Sequence, residues 1–123
     1  MNNKGQALVT FILTLPLIFL LIAVVYDLGT LSLTKQKIQT EIKSAITYGL
    51  NNIDDPEIKT KLENILNKNI EGRKTINIEN KTIKINVKDS KNSIFPNIIK
   101  DKYNIDITYN GYIENKKIKI IKE

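Results

Sequence analysis

Lys100, Asp101 and Lys102 beside Tyr103 form the one run in this chain that offers a carboxylate, amines and a phenol within four positions. Held in a cleft, such a set can move a proton. In an open chain, alternating charge next to an aromatic residue is simply a solvated turn. The chain has no cysteine and no histidine, which excludes disulfides, thiolate nucleophiles, imidazole bases and most zinc sites. Its four serines lie in no nucleophile motif, and no glycine-rich loop is present to cradle phosphate. These residues predict a protein that is not an enzyme and carries no cofactor.

Two further clusters invite a chemical reading. Asp54, Asp55 and Glu57 bring three carboxylates together, but they lack the Asp-x-Asp-x-Asp-Gly loop of a calcium site, and acidic charge at a helix start already explains them, so no metal is expected. Tyr103, Tyr109 and Tyr112 stand among lysines, as residues that stack on single-stranded nucleic acid do. Their alternation along one segment is what a strand with core-facing aromatics requires, so no nucleic-acid partner is expected. Beyond Leu28 the chain holds 18 Lys or Arg and 12 Asp or Glu, a net +6. The lysines are scattered, which suits a solubilising surface better than a dense polyanion site.

The elements that position these residues begin with Gln6–Tyr26, 21 positions without a charge. At 1.5 Å per residue they reach across the roughly 30 Å of bilayer hydrocarbon. The run ends Ala23, Val24, Val25, Tyr26, Asp27, without the small-x-small site that follows a cleaved signal, so the segment reads as a retained anchor. Leu28, Leu31, Ile38, Ile42, Ala45 and Ile46 continue at helical spacing, predicting one helix from about Ala7 to Leu50. Pro16 should bend it, with Thr14 or a neighbouring subunit offsetting the lost backbone bond. Asp55 and Pro56 have the cap-then-proline order that opens a second helix with apolar positions Ile58, Leu62, Ile65, Leu66 and Ile70, and Gly72 is placed to end it.

From Thr75 the period becomes two. Ile76 and Ile78, then Ile83, Ile85 and Val87, predict a hairpin turning at Asn80 and Lys81, with Ile78 opposite Ile83 and Ile76 opposite Ile85. Tyr103, Ile105, Ile107 and Tyr109 predict a further strand. Asn110-Gly111 is a strong turn signal, but a turn there would put apolar and polar residues on one face; a turn at Asn115 and Lys116 keeps the alternation in phase. Both remain open from the sequence. Ile78–Ile85 reads IENKTIKI and Ile113–Ile120 reads IENKKIKI, so the two turn regions are near copies. The class expected is α+β: a long membrane-spanning helix with an amphipathic second half, a short helix, and an antiparallel sheet of about four strands.

The N-terminal residues carry a resemblance. Lys4 and Gly5 lead directly into an apolar helix, as in type IV prepilins, and KGQALVTFILTLPLIFLLIAVVYDLG resembles the TadE/TadG class of pilin-like proteins. The residues concerned are Gly5, Ala7, Val9, Phe11, Pro16, Asp27, Leu28 and Gly29. The resemblance implies a leader of residues 1–5 cut between Gly5 and Gln6 by a prepilin peptidase, a membrane helix over 6–28, and a pilin-like domain over 29–123. It implies an N-terminus in the cytoplasm and a domain outside a bacterial cytoplasmic membrane. Charge alone does not fix that orientation, since Lys4 precedes the span and Lys35, Lys37 and Lys43 follow it. The implied partners are other pilin-like subunits, the assembly platform and membrane lipid, with Thr10, Phe11, Pro16, Asp27 and Gly29 as assembly residues. Pilins usually carry Glu at the fifth mature position. Thr10 stands there, which implies a minor, priming or tip subunit of a Tad or type IV-like pilus or secretion filament. The competing reading is a membrane-anchored extracellular binding module without a filament.

Overall fold

A computed structural model describes residues 3–93 and 102–123; the first two residues of the leader, and Lys100 and Asp101 of the charged run, lie outside them. Helix α1 runs Asn3–Asn51 without interruption. Its threonines suit an apolar medium, because their hydroxyls turn back onto the helix: Thr14 Oγ1 donates to the Thr10 carbonyl at 2.6 Å and Thr34 Oγ1 to that of Thr30 at 2.9 Å. Pro16 lies inside the helix and cannot donate to the Ile12 carbonyl. The compensation expected from Thr14 is absent, since its hydroxyl donates to the Thr10 carbonyl, two residues before the one that Pro16 leaves unpaired. The helix ends in successive tight turns, Asn52 N to Gly49 O and Asp55 N to Asn52 O.

Helix α2 is Ile58–Asn69. It starts later than the Asp55-Pro56 signal suggests, because Asp55 is used one turn earlier. Its Oδ1 accepts the Glu57 N–H at 2.9 Å, and its carbonyl accepts the Ile58 N–H at 3.2 Å, so a separate turn leads into the helix. Gly72 does not cap the other end, where Ile70 already has extended backbone; its φ of +96° turns the chain toward the sheet instead.

Four strands follow: β1 Arg73–Glu79, β2 Thr82–Asn92, β3 Lys102–Glu114 and β4 Lys117–Lys122. They form an antiparallel sheet in sequence order. The register of the first hairpin is the expected one, Ile78 to Ile83 and Ile76 to Ile85. For the second, the side-chain phase overrides the Asn-Gly signal: β3 passes straight through Asn110 and Gly111, the chain reverses at Asn115-Lys116, and Ile113 pairs with Ile118. Both turns have positive φ at both central residues, 48° and 60° in one and 53° and 63° in the other, as two-residue type I′ turns require.

One face of the sheet packs on the helices around Ile42, Ile46, Leu62, Leu66, Ile83, Ile85 and Val87, all essentially without exposure. Each such side chain contributes about 1.5–3 kcal/mol on burial. Of the predicted apolar stripe, Ile38, Ile42, Ala45 and Ile46 are buried and Leu31 packs at the margin, whereas Leu28 is exposed. The orientation of α1 on the sheet follows from two contacts. Asp27 meets Ser93 just beyond β2, and Gly49 lies against Ile83 near its start. Those intervals are about 33 Å of helix and about 33 Å of strand, so α1 runs along β2 in the opposite direction.

Candidate functional site

The residues implied in assembly divide sharply by environment. Gly5, Gln6, Thr10, Phe11 and Pro16 all lie on the part of α1 that projects beyond the sheet, and all are exposed. Leu8, Val9, Ile12, Leu13, Leu17, Phe19, Leu21, Ile22 and Val25 are more than half exposed on the same segment. Within a soluble fold this apolar area would be untenable. The helix is long and apolar enough to cross a membrane, and almost none of that window is covered by the rest of the chain. Nothing lies within 4 Å of a Cβ built at Gly5 or Gly29, so both present open helix surface.

Asp27 behaves differently. It ends the uncharged run, yet it is only 4 % exposed, and the Ser93 hydroxyl donates to its Oδ2 at 2.5 Å. This bond joins positions 66 residues apart and closes the base of the domain onto the helix where the apolar segment ends. The exit motif in the sequence includes Asp27 but gives no sign of Ser93, which lies six positions past Val87, the last strand residue legible from alternation. Beside this contact, Tyr26, Asp27, Thr30, Lys91 and Asn92 line an open cavity of about 260 Å³.

The clusters that suggested chemistry are absorbed by the fold. Asp55 Oδ2 accepts from Lys61 Nζ at 2.5 Å; that hydrogen bond and the Glu57 N–H hold the Asp55 carboxyl below its usual range, and the same bond raises Lys61. Of the tyrosines, Tyr109 is buried, with Lys43 Nζ 5.3 Å from its ring centre, and Tyr103 is half-buried on the same face. Tyr112 faces the opposite side of β3, so the three form no stacking platform. The outer sheet face is polar and internally bonded: Asn86 Nδ2 donates to Asp106 Oδ1 and Thr108 Oγ1, both at 2.7 Å, and Lys84 pairs with Glu123 at 2.9 Å. A second groove, of about 490 Å³, lies where Thr34 and Lys37 of α1 meet Asn67, Lys68 and Glu71, and its lining is of mixed charge, Lys37 and Lys68 with Glu71 and Asp89.

Compared with family models, with curated proteins and with solved structures, the chain matches none.

Proposed function

We infer that this chain is a minor pilin or pseudopilin-like subunit, held in the membrane by the first half of α1 before assembly into a Tad or type IV-like filament. The observation that carries this reading is the division of one unbroken helix. Its N-terminal part is apolar and, up to Ile22, without a buried residue, and its C-terminal half is the spine of a sheet domain. Such a helix has the same requirement in lipid and in a filament core, namely apolar neighbours on every side. The protein works by helix association and catalyses nothing. The N-terminus lies in the cytoplasm and the sheet outside.

Thr10 supports the minor role. A carboxylate at this depth is costly alone and so seeks a partner such as a neighbouring subunit's amine. At an effective dielectric near 20, a charge pair about 4 Å apart is worth roughly 4 kcal/mol before desolvation. Threonine provides no such attraction, so the subunit enters where none is needed. Two experiments test this. Mass spectrometry of membrane-extracted protein is expected to find a mature terminus at Gln6 and an uncut chain in Gly5→Trp; an intact Met1 terminus beside an active prepilin peptidase overturns the processing. Immunogold labelling of sheared filaments is expected to show sparse wild-type label that rises along the filament in Thr10→Glu. Abundant wild-type label, unchanged by the substitution, overturns the minor role.

A further inference from the structure

We propose that copies of this chain join in series inside the membrane, the Thr10 hydroxyl of one α1 donating to the Ile12 carbonyl of the next. The contact rests on the membrane-anchor reading above and deepens it, naming what draws copies together where the carboxylate–amine pair is missing. Pro16 has no N–H, so the Ile12 carbonyl lacks the donor that a helix normally supplies four residues on. Thr14 does not replace it, because its hydroxyl donates to the Thr10 carbonyl. Thr10 is the converse case. Thr14, Thr30, Thr34 and Thr47 all turn their hydroxyls back onto α1, whereas that of Thr10 has no acceptor among the described residues, and Thr10 is exposed. Less than one turn of helix thus carries an acceptor without a donor and a donor without an acceptor.

Depth makes both unfavourable. The uncharged run begins at Gln6, so Thr10 lies about 6 Å and Ile12 about 9 Å inside the hydrocarbon, where no water satisfies either. Ile12 is 58 % exposed and almost none of this span is covered by the rest of the chain, so the missing donor comes from another molecule. A second copy brings it to the right depth, because it carries the same residues on a parallel helix. The geometry also fixes the kind of contact. Thr10 and Ile12 are two residues apart, about 200° around the helix, so they look to nearly opposite sides and a two-fold pair cannot engage both. The contact is heterologous, each copy donating on one side and accepting on the other. Side chains lean toward the helix N-terminus and carbonyls point the other way, so neighbours are offset by about one turn, roughly 5 Å.

The test uses the full-length chain in phosphatidylcholine vesicles, with energy transfer between copies labelled through Ser44→Cys, an exposed position in a chain that has no other thiol. The chain without further change is expected to associate beyond pairs. Thr10→Val, which keeps the shape without the hydroxyl, should weaken association about threefold, the typical contribution of one hydrogen bond between membrane helices. Pro16→Ala supplies an N–H to the Ile12 carbonyl within the helix and should weaken it as much. The double variant should be no weaker than either single one, and Thr10→Ser should associate as the parent does. A monomeric parent, assembly that stops at pairs, unchanged association in Thr10→Val or in Pro16→Ala, or losses that multiply to about ninefold in the double variant each overturn the proposal. Filaments separate the two levels. A chain that is monomeric in vesicles but labelled in filaments refutes this contact alone, whereas association as expected with no label in any filament supports the contact and refutes the filament reading.

Discussion

At the scale of single residues, two glycines record how closely α1 approaches the sheet. A Cβ at Gly111 would lie 2.1 Å from Ile46 Cγ2, and one at Gly49 would lie 2.5 Å from Ile83 Cδ1. The first obstacle is a branch fixed by the helix backbone, and the second is the free end of a side chain. Gly111→Ala is therefore expected to cost about 1–3 kcal/mol in urea unfolding and Gly49→Ala distinctly less; equal losses would show that the helix shifts as a body. Ser93→Ala removes a donor from a buried carboxylate and should cost about 1–3 kcal/mol in the same assay. Asp55 gives a pH signature. Its folded pKa is depressed by Lys61 and the Glu57 N–H, so its contribution is present above the ordinary carboxylate range, near 4, and is lost as pH falls through the depressed value. In Asp55→Asn that part of the acid sensitivity should vanish from the melting temperature measured between pH 5 and 2. Gly111 was partly legible, since it occupies a core-facing phase of β3. The Asp27 to Ser93 bond was not, because nothing in either local pattern refers to a position 66 residues away.

At the scale of elements, periodicity was the informative signal and local motifs were the misleading one. Alternation alone gave the strands, the register of the first hairpin and the reason to doubt Asn110-Gly111, because a one-residue change of phase would turn Ile113 and Ile118 out of register with the core. Asn-Gly and Asp-Pro describe what a short peptide prefers, and both yielded to burial: the first became strand, and the second a turn ahead of α2. The turns actually used place Lys81 and Lys116 at positive φ, where a side chain is disfavoured by roughly 1–2 kcal/mol. Lys81→Gly and Lys116→Gly should each raise stability by up to about 1 kcal/mol, additively since they lie in separate hairpins. A loss of stability in chemical denaturation would show that the lysine side chains contribute contacts of their own.

At the scale of the whole molecule, α1 is one helix with an apolar, largely uncovered first part and a second part whose stripe from Ile38 to Leu50 is packed in the core of the domain. Residues 30–123 are accordingly expected to fold alone as a monomer with mixed helix and strand, as circular dichroism and sedimentation would show; a disordered fragment would mean that the sheet depends on the membrane or on other subunits. The unbroken course of α1 also has a mechanical consequence. Its portion beyond Asp27 reaches about 36 Å, with the sheet fastened along it, so the domain cannot pivot independently of its anchor. A tilt of about 20°, ordinary for a membrane helix, carries the far end sideways by roughly 12 Å. The two near-identical turns lie at that far end, so small changes in how the anchor is packed become large displacements of the surface it holds out.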